Sequence, residues 1–167
     1  AAQDGLQGLP VVFPVHQLAH GLVHEFAHGL AADRLGDPTA RYMGRLTLNP
    51  LKHLNLIGFA CMMLCGFGWA NPVPINSRYF RKPRRDVAVV SLAGPLSNLL
   101  LALLFLLLLR FVGFGLLAQH RYATQLAADF ASYLIMLMYY GIFMNVSLAV
   151  FNLLPIPPLD GSRLLKP

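Results

Sequence analysis

The stretch VAVVSLAGPLSNLLLALLFLLLL, residues 87–109, decides the fold class of this chain. It runs for 23 residues without a charged side chain, and a helix needs about 20 apolar residues to cross the hydrocarbon core of a membrane. A second uncharged run covers residues 130–154. The Gly-Pro pair inside the first run is compatible with a span, because neighbouring helices can satisfy the freed backbone groups. We therefore predict membrane-spanning helices at 87–110 and 130–154.

The composition of the whole chain supports a membrane location. Of its 167 residues, 56% are hydrophobic and 12% are charged, whereas soluble domains carry about 25% charged residues. The net charge is +6, and most basic residues lie in two clusters, at 34–52 and 78–85, that flank apolar stretches. Cytoplasmic loops of membrane proteins have this pattern. We expect an integral membrane protein in contact with the lipid bilayer, with no nucleic-acid partner.

The apolar segment at residues 54–70 is too short for an ordinary span and is interrupted by Asn55 and by glycines. Basic clusters lie on both sides of it, and both would prefer the cytoplasm. This favours a re-entrant segment that enters and leaves on the same face. A short span or an interfacial helix remains open from the sequence alone.

A helix is predicted at about residues 9–32, although it carries several histidines that a lipid-facing helix would not bear. Residues 36–53 are predicted as a strand or loop, because RLTL at 45–48 alternates polar and apolar side chains. The predicted fold is an all-α polytopic membrane protein of one domain, residues 1–167. It has three long helices, a re-entrant or short membrane segment and a small β element.

The motif HEFAH, residues 24–28, contains the only glutamate of the chain. On a helix His24 and His28 share one face, so both imidazoles can bind one ion. Glu25 is rotated by about 100° from His24 and can reach a water on that ion. This is the arrangement of zinc metalloproteases, with two histidine ligands and a carboxylate as general base.

Catalytic zinc requires a third protein ligand and an open position. Asp160 stands out among the acidic residues because it follows a long apolar run and a proline-rich segment, LPIPPLDG. Prolines forbid a regular helix there, so an extended segment can return Asp160 to the helices. Gly161 would permit a backbone conformation that other residues avoid. The alternative is a helix stop and turn with Asp160 exposed.

Together, HEFAH and FNLLPIPPLDG (residues 151–161), with GPLSN (94–98) between them, resemble the site-2 protease family of intramembrane zinc metalloproteases. The resemblance extends from about residue 22 to the end. It implies that His24, His28 and Asp160 bind one Zn²⁺ per chain and that Glu25 is the catalytic base. It also implies substrate-positioning roles for Asn152, Gly94 and Asn98, although helix packing explains Gly94 and Asn98 equally well.

The resemblance further implies a three-helix catalytic core with zinc inside the membrane, reached from the cytoplasmic side. It implies hydrolysis of peptide bonds in membrane-spanning protein substrates. A compact core of this kind suggests a prokaryotic or organellar protein, and we expect a prokaryotic cell membrane. An unwound substrate could pair with an edge at residues 45–48. No oligomeric state is predicted.

Histidines at four-residue spacing continue the HEFAH face towards the N-terminus, at His16 and His20. Because such a stripe could pass ions, a membrane metal transporter or metal sensor is the alternative function. The run 87–109 offers few metal ligands, which disfavours transport. A catalytically silent scaffold is a third class, and Glu25 argues against it because a scaffold needs no base beside its metal.

Overall fold

The computed structural model describes residues 9–65, 71–113, 115 and 124–164, and side chains of the first helix from His20 onward. These residues form seven α-helices. The three long ones are α1 (Leu9–Arg34), α5 (Pro83–Leu108) and α6 (Gln125–Leu153), and the short ones are α2 (Thr39–Tyr42), α3 (Pro50–His53), α4 (Leu56–Cys65) and α7 (Gly161–Leu164). A 3₁₀ turn covers Ser77–Tyr79, and a π-helical turn, Leu109–Gly113, continues α5.

Helix α5 packs against both α1 and α6 and is therefore the centre of the fold. It begins with Pro83, whose missing N–H costs nothing at a helix start. Two helices are long and apolar enough to cross a membrane, Pro83–Val112 and Gln125–Leu153. Their ranges agree with the predicted helices at 87–110 and 130–154, and the all-helical class is confirmed for the described residues.

The expected β element at residues 45–48 is not formed, and no strand occurs among the described residues. The backbone N–H groups of Arg45 and Leu46 both donate to the carbonyl of Ala40, at 2.8 and 3.2 Å. The Arg45 side chain donates to the carbonyl of Lys52. These contacts close the segment onto α2 and α3, so the alternating pattern was a wrong indication of a strand.

A buried carboxylate joins two loops beside α1. Asp37 follows Gly36, whose φ of 103° favours glycine. One Asp37 oxygen accepts the backbone N–H of Thr39 at 3.0 Å, and the other accepts that of Asn76 at 2.6 Å. The turn at 36–38 thereby fixes residues 71–76, which we call the extended segment.

The two ends of the apolar segment at 54–70 meet. Asn71 donates its backbone N–H to the carbonyl of His53 at 2.8 Å. The side chain of Asn55 donates to that of Asn71, also at 2.8 Å. Helix α4 covers Leu56–Cys65 within this segment, and residues 66–70 lie outside the described part of the chain. The joined ends fit an in-and-out path.

A small apolar core lies where α1, α5 and the extended segment meet. Ala32, Phe80 and Val90 are buried, and Ile75 and Val87 pack against them. This core anchors the end of α1 that follows HEFAH. It therefore holds His28 and the α5 backbone at a fixed separation.

Candidate metal centre

His24 and His28 point from one face of α1 towards α5, as their spacing predicts. Both are buried, with 5% and 4% of their surface exposed. Their Nε2 atoms lie 3.0 Å apart, and the rings meet edge to face with centroids 4.6 Å apart. Two imidazole nitrogens are thus presented to one point in the interior.

Asp160 reaches the same point from the other end of the chain. Its Oδ2 lies 3.0 Å from His24 Nε2 and 3.0 Å from His28 Nε2. Burial opposes ionisation of Asp160, but its contacts with the two histidines outweigh burial and lower the pKa of this carboxyl below its ordinary value. The structure therefore brings Asp160 into the site, as predicted, and not onto an exposed turn.

The glycine after Asp160 is needed for a different reason from the one expected. Gly161 does not have a positive φ. A Cβ atom at this position would lie 2.3 Å from the carbonyl oxygen of Leu153 and 2.5 Å from that of Leu154. Only a residue without a side chain lets the start of α7 pack directly against the end of α6. This packing places Asp160 in the interior.

A main-chain carbonyl of α5 orients His28. The Nδ1–H of His28 donates to the oxygen of Val90 at 2.7 Å. With the proton held at Nδ1, the lone pair of Nε2 faces the site. Metal-binding histidines ordinarily have such a partner on the other ring nitrogen.

Asn98 performs the corresponding role for His24. Its side-chain amide lies 3.0 Å from His24 Nδ1, and Asn98 is completely buried. The amide oxygen of Asn98 has no hydrogen-bond partner among the described residues. Half a turn of the amide would place this oxygen against Nδ1–H, and that orientation leaves His24 Nε2 free to bind a metal.

Gly94 provides the space in which the two imidazoles fit. A Cβ atom on Gly94 would lie 2.4 Å from His28 Nε2 and 2.6 Å from His24 Nε2. These two nitrogen atoms are the ones that face Asp160. The α5 backbone at Gly94 therefore borders the site directly. Gly94 and Asn98 thus both contact the histidines, and their predicted substrate contacts stay predictions.

Glu25 lies beside the histidines but turns towards the extended segment. Its Oε2 accepts the backbone N–H of Val73 at 2.8 Å. Val73 is itself buried and packs near Gly29, where an added Cβ would lie 3.1 Å from Val73 Cγ1. The carboxylate of Glu25 is therefore oriented by a main-chain donor while staying outside the set of three ligands.

The remaining predicted residues do not join the cluster in the described structure. Asn152 donates its amide to the carbonyl of Leu148, one turn earlier in α6, at 3.0 Å. His20 lies near Asn145, with Nδ1 3.0 Å from the amide nitrogen, and its ring contacts Phe105. The side chain of His16 lies outside the described residues.

The three converging donor atoms fit a zinc ion. Each pair of His24 Nε2, His28 Nε2 and Asp160 Oδ2 is 3.0 Å apart, and tetrahedral zinc with bonds of about 2.0–2.1 Å separates its ligand atoms by about 3.3 Å. Two imidazoles and a carboxylate are the ligands of catalytic zinc sites with one open position. Among the described residues, this is the one such group of three metal-ligating side chains.

Comparison with known proteins identifies the family. The model of peptidase family M50 matches residues 13–167. The chain belongs to peptidase family M50. This is the site-2 protease family that the sequence resembles, and the resemblance is confirmed. M50 membership and the ligand geometry both agree with zinc as the cofactor.

Several M50 relatives carry names that state an activity. The chain is 46% identical over 159 residues to the Bacillus subtilis protein named "Putative zinc metalloprotease YwhC", covering 95% of this chain and 65% of that one. It is 35% identical over 139 residues to "Putative zinc metalloprotease Rip2" of Mycolicibacterium smegmatis, covering 80% and 48%. It is 32% identical over 168 residues to Rip2 of Mycobacterium tuberculosis, covering 97% and 56%.

The chain thus spans about half to two thirds of the length of these three relatives. No solved structure matches the chain.

Two main-chain groups of the site, the Val90 carbonyl and the Val73 N–H, have no signature in the sequence.

The histidines at positions 16, 20, 24 and 28, the histidine stripe, do have a signal in the sequence. Residues 16–23, HQLAHGLV, match residues 24–31, HEFAHGLA, at five of eight positions. In the first copy Gln17 replaces the acid, so this M50 chain carries two similar motifs of which one has a base.

Proposed function

We propose that this chain is the catalytic core of a zinc endopeptidase that cleaves membrane-spanning segments of other proteins. The observation that carries the proposal is the convergence of His24, His28 and Asp160 at 3.0 Å with Glu25 next to the first ligand. Zinc, when bound, would act as a Lewis acid on water and on a peptide carbonyl. All other contributions come from side chains and backbone of the chain.

Glu25 acts as the general base in this proposal. Its carboxylate takes a proton from the attacking water and delivers it to the leaving amine. The hydrogen bond from Val73 holds the carboxylate on the side of the extended segment. An unwound substrate strand that runs beside this segment would present its carbonyl between Glu25 and the ligands.

The location we propose is a prokaryotic cell membrane, with the site opening towards the cytoplasm. Helices α5 and α6 have the length and composition of spans. The basic residues at 34–52 and 78–85 flank the apolar segments on the side where α5 begins, and such clusters favour the cytoplasm. The bilayer and a membrane-spanning protein substrate are the partners.

The test measures zinc content and cleavage in the same preparations. We expect one zinc per chain in wild type and in Glu25→Gln, and none in Asp160→Ala. Glutamine retains an oxygen for the Val73 N–H, so Glu25→Gln removes the base without removing this contact. Asp129→Ala is the matched control, because Asp129 is exposed and bonds to Gln125.

Cleavage of a co-reconstituted single-span protein should occur with wild type and Asp129→Ala only. Normal zinc content in Asp160→Ala would contradict the proposal. So would loss of zinc in His16→Ala, because the metal would then lie in the histidine stripe, and metal transport or sensing would become the better function.

A further inference from the structure

A pocket of about 420 Å³ lies next to the metal centre, between the extended segment and the start of α5. Its apolar lining includes Ile75, Val87 and Val90, and its charged lining is Arg84 and Arg163. The apolar residues belong to the small core or pack against it. We call it the arginine pocket: it is lined by apolar side chains of the core and by two cationic side chains, Arg84 of α5 and Arg163 of α7.

The arginine pocket opens on the catalytic side of α5. Positions 84, 87, 91, 94 and 98 follow at steps of three and four residues, which places them on one helix face. Arg84 thus shares a face with Gly94 and Asn98, which contact the histidines. The exposed side chains of Leu96 and Leu100 lie on other faces. Val90, which lines the pocket, also accepts the Nδ1–H of His28 at its carbonyl, so the pocket adjoins the metal centre at this residue.

The two guanidinium groups are not neutralised within the described structure. Neither Arg84 nor Arg163 forms an ion pair there, whereas Arg41 pairs with Asp33. The acids that lie close to them in sequence have other partners: Asp86 accepts the N–H of Lys82, and Asp160 contacts the histidines. Like charges around one concavity create a positive potential that attracts an anion.

We infer that the arginine pocket is a substrate subsite that selects an aspartate or glutamate close to the scissile bond. The inference rests on the proposed peptidase activity and names a feature of its substrate. Arg163 follows the ligand Asp160 by three residues, and Ile75 follows Val73, whose N–H binds Glu25, by two. A substrate strand beside the extended segment would enter the pocket from the metal centre.

The geometry gives the position of the selected acid. Arg163 lies about 5 Å from Asp160 along α7 at 1.5 Å per helical residue, and its side chain extends farther. An extended substrate advances about 3.3 Å per residue. Because the Arg163 side chain adds to this distance, we expect the acidic side chain about two to five residues from the scissile bond, on the side that lies towards the start of α5.

The test uses an apolar, internally quenched peptide in which Asp or Asn occupies each position from two to five residues on either side of one cleavage site. We expect kcat/KM to favour Asp over Asn by about ten-fold at one of these positions, on one side only, since each partly solvated ion pair contributes about three-fold. The difference should appear in KM. Arg84→Gln and Arg163→Gln should each reduce the preference to about three-fold.

Arg85→Gln is the matched control, because Arg85 is exposed, neighbours Arg84 and does not line the pocket. Its preference for Asp should equal that of wild type. Binding of the same peptides to Glu25→Gln is measured by fluorescence anisotropy, which tests the pocket without requiring cleavage. Absence of cleavage by the wild type, together with Asp-selective binding to Glu25→Gln, would count against the proposed activity and in favour of the pocket.

Equal binding and cleavage of the Asp and Asn peptides would overturn the inference. An equal loss of preference in Arg85→Gln would also overturn it, because the effect would then be diffuse surface charge. A lipid headgroup is the other possible occupant. If Arg84→Gln and Arg163→Gln lowered binding to phosphatidylglycerol vesicles relative to phosphatidylcholine vesicles, but left the preference for Asp over Asn unchanged, the inference would be wrong.

Discussion

Asn98 on α5 and His24 on α1 face each other in the interior, with the asparagine amide 3.0 Å from the histidine Nδ1. Ligation through Nε2 requires a proton on Nδ1 and an acceptor for that proton. The buried oxygen of Asn98 is the group that can accept it. We therefore propose that Asn98 positions His24 for metal binding.

Replacing Asn98 with leucine should therefore weaken zinc binding by about 10- to 100-fold, the range for lost outer-shell partners. Asn98→Asp should retain most of the affinity, because a carboxylate also accepts the proton of Nδ1. Competition with a chromogenic chelator measures both. Asn152→Leu serves as the control, since the Asn152 amide bonds only to a carbonyl of its own helix in the described structure; equal weakening in this variant would contradict the assignment.

A methyl group at position 94 should empty the site. The added carbon of Gly94→Ala would overlap both histidine rings, 2.4 Å from His28 Nε2. We expect zinc content to fall to background while the helical circular dichroism is kept. Gly21→Ala makes the same change in α1, where no atom lies within 4 Å of the added carbon. Zinc retained in Gly94→Ala would show that α5 moves freely away from α1.

The carboxylate of Asp37 should be a major source of stability. Asp37→Ala removes a buried carboxylate and leaves the partly buried N–H groups of Thr39 and Asn76 without their acceptor. We expect the free energy of unfolding to fall by about 3 kcal/mol, because charge-assisted hydrogen bonds contribute about 1.5–3 kcal/mol each. Denaturant unfolding in detergent measures the loss.

Asp129→Ala is the comparison for that experiment. Asp129 is exposed and accepts a hydrogen bond from the exposed Gln125, and surface substitutions of this kind usually change stability by about 0.5 kcal/mol or less. Similar losses in the two variants would mean that the loop connection made by Asp37 adds nothing specific.

The joined ends of the segment at 54–70 predict its path through the membrane. Single cysteines at Lys52 and Ser77, in a chain with Cys61 and Cys65 replaced by serine, should both react with a membrane-impermeant maleimide from the same side. A cysteine at Leu126, at the start of α6, should react from the opposite side. Labelling of positions 52 and 77 from different sides would instead make the segment a short span.

The sequence allowed correct prediction of features that depend on periodicity. Four-residue spacing placed His24 and His28 on one face, and uncharged runs located α5 and α6. Features that depend on hydrogen bonds between backbone groups of different segments could not be predicted from the sequence. Arg45 and Leu46 have the pattern of a strand, but their N–H groups bond to Ala40. No side-chain pattern predicts such a contact.

Gly161 and Gly94 illustrate the same difference. A glycine in the sequence indicates either unusual dihedral angles or close approach, and only coordinates distinguish the two. Dihedral freedom was expected at Gly161, but the carbonyls of Leu153 and Leu154 are what exclude a side chain there. At Gly94 close approach was expected, and the groups that approach are the histidines.

Asp160 lies 136 residues after His24 along the chain. During synthesis helix α1, with its histidines and Glu25, leaves the ribosome long before Asp160 has been added. A nascent chain would hold metal weakly with two imidazoles until Asp160 docks behind α6. If the proposed activity holds, the chain would gain hydrolytic competence only after residue 160 has been made and docked, so the spans that precede it would be protected until then.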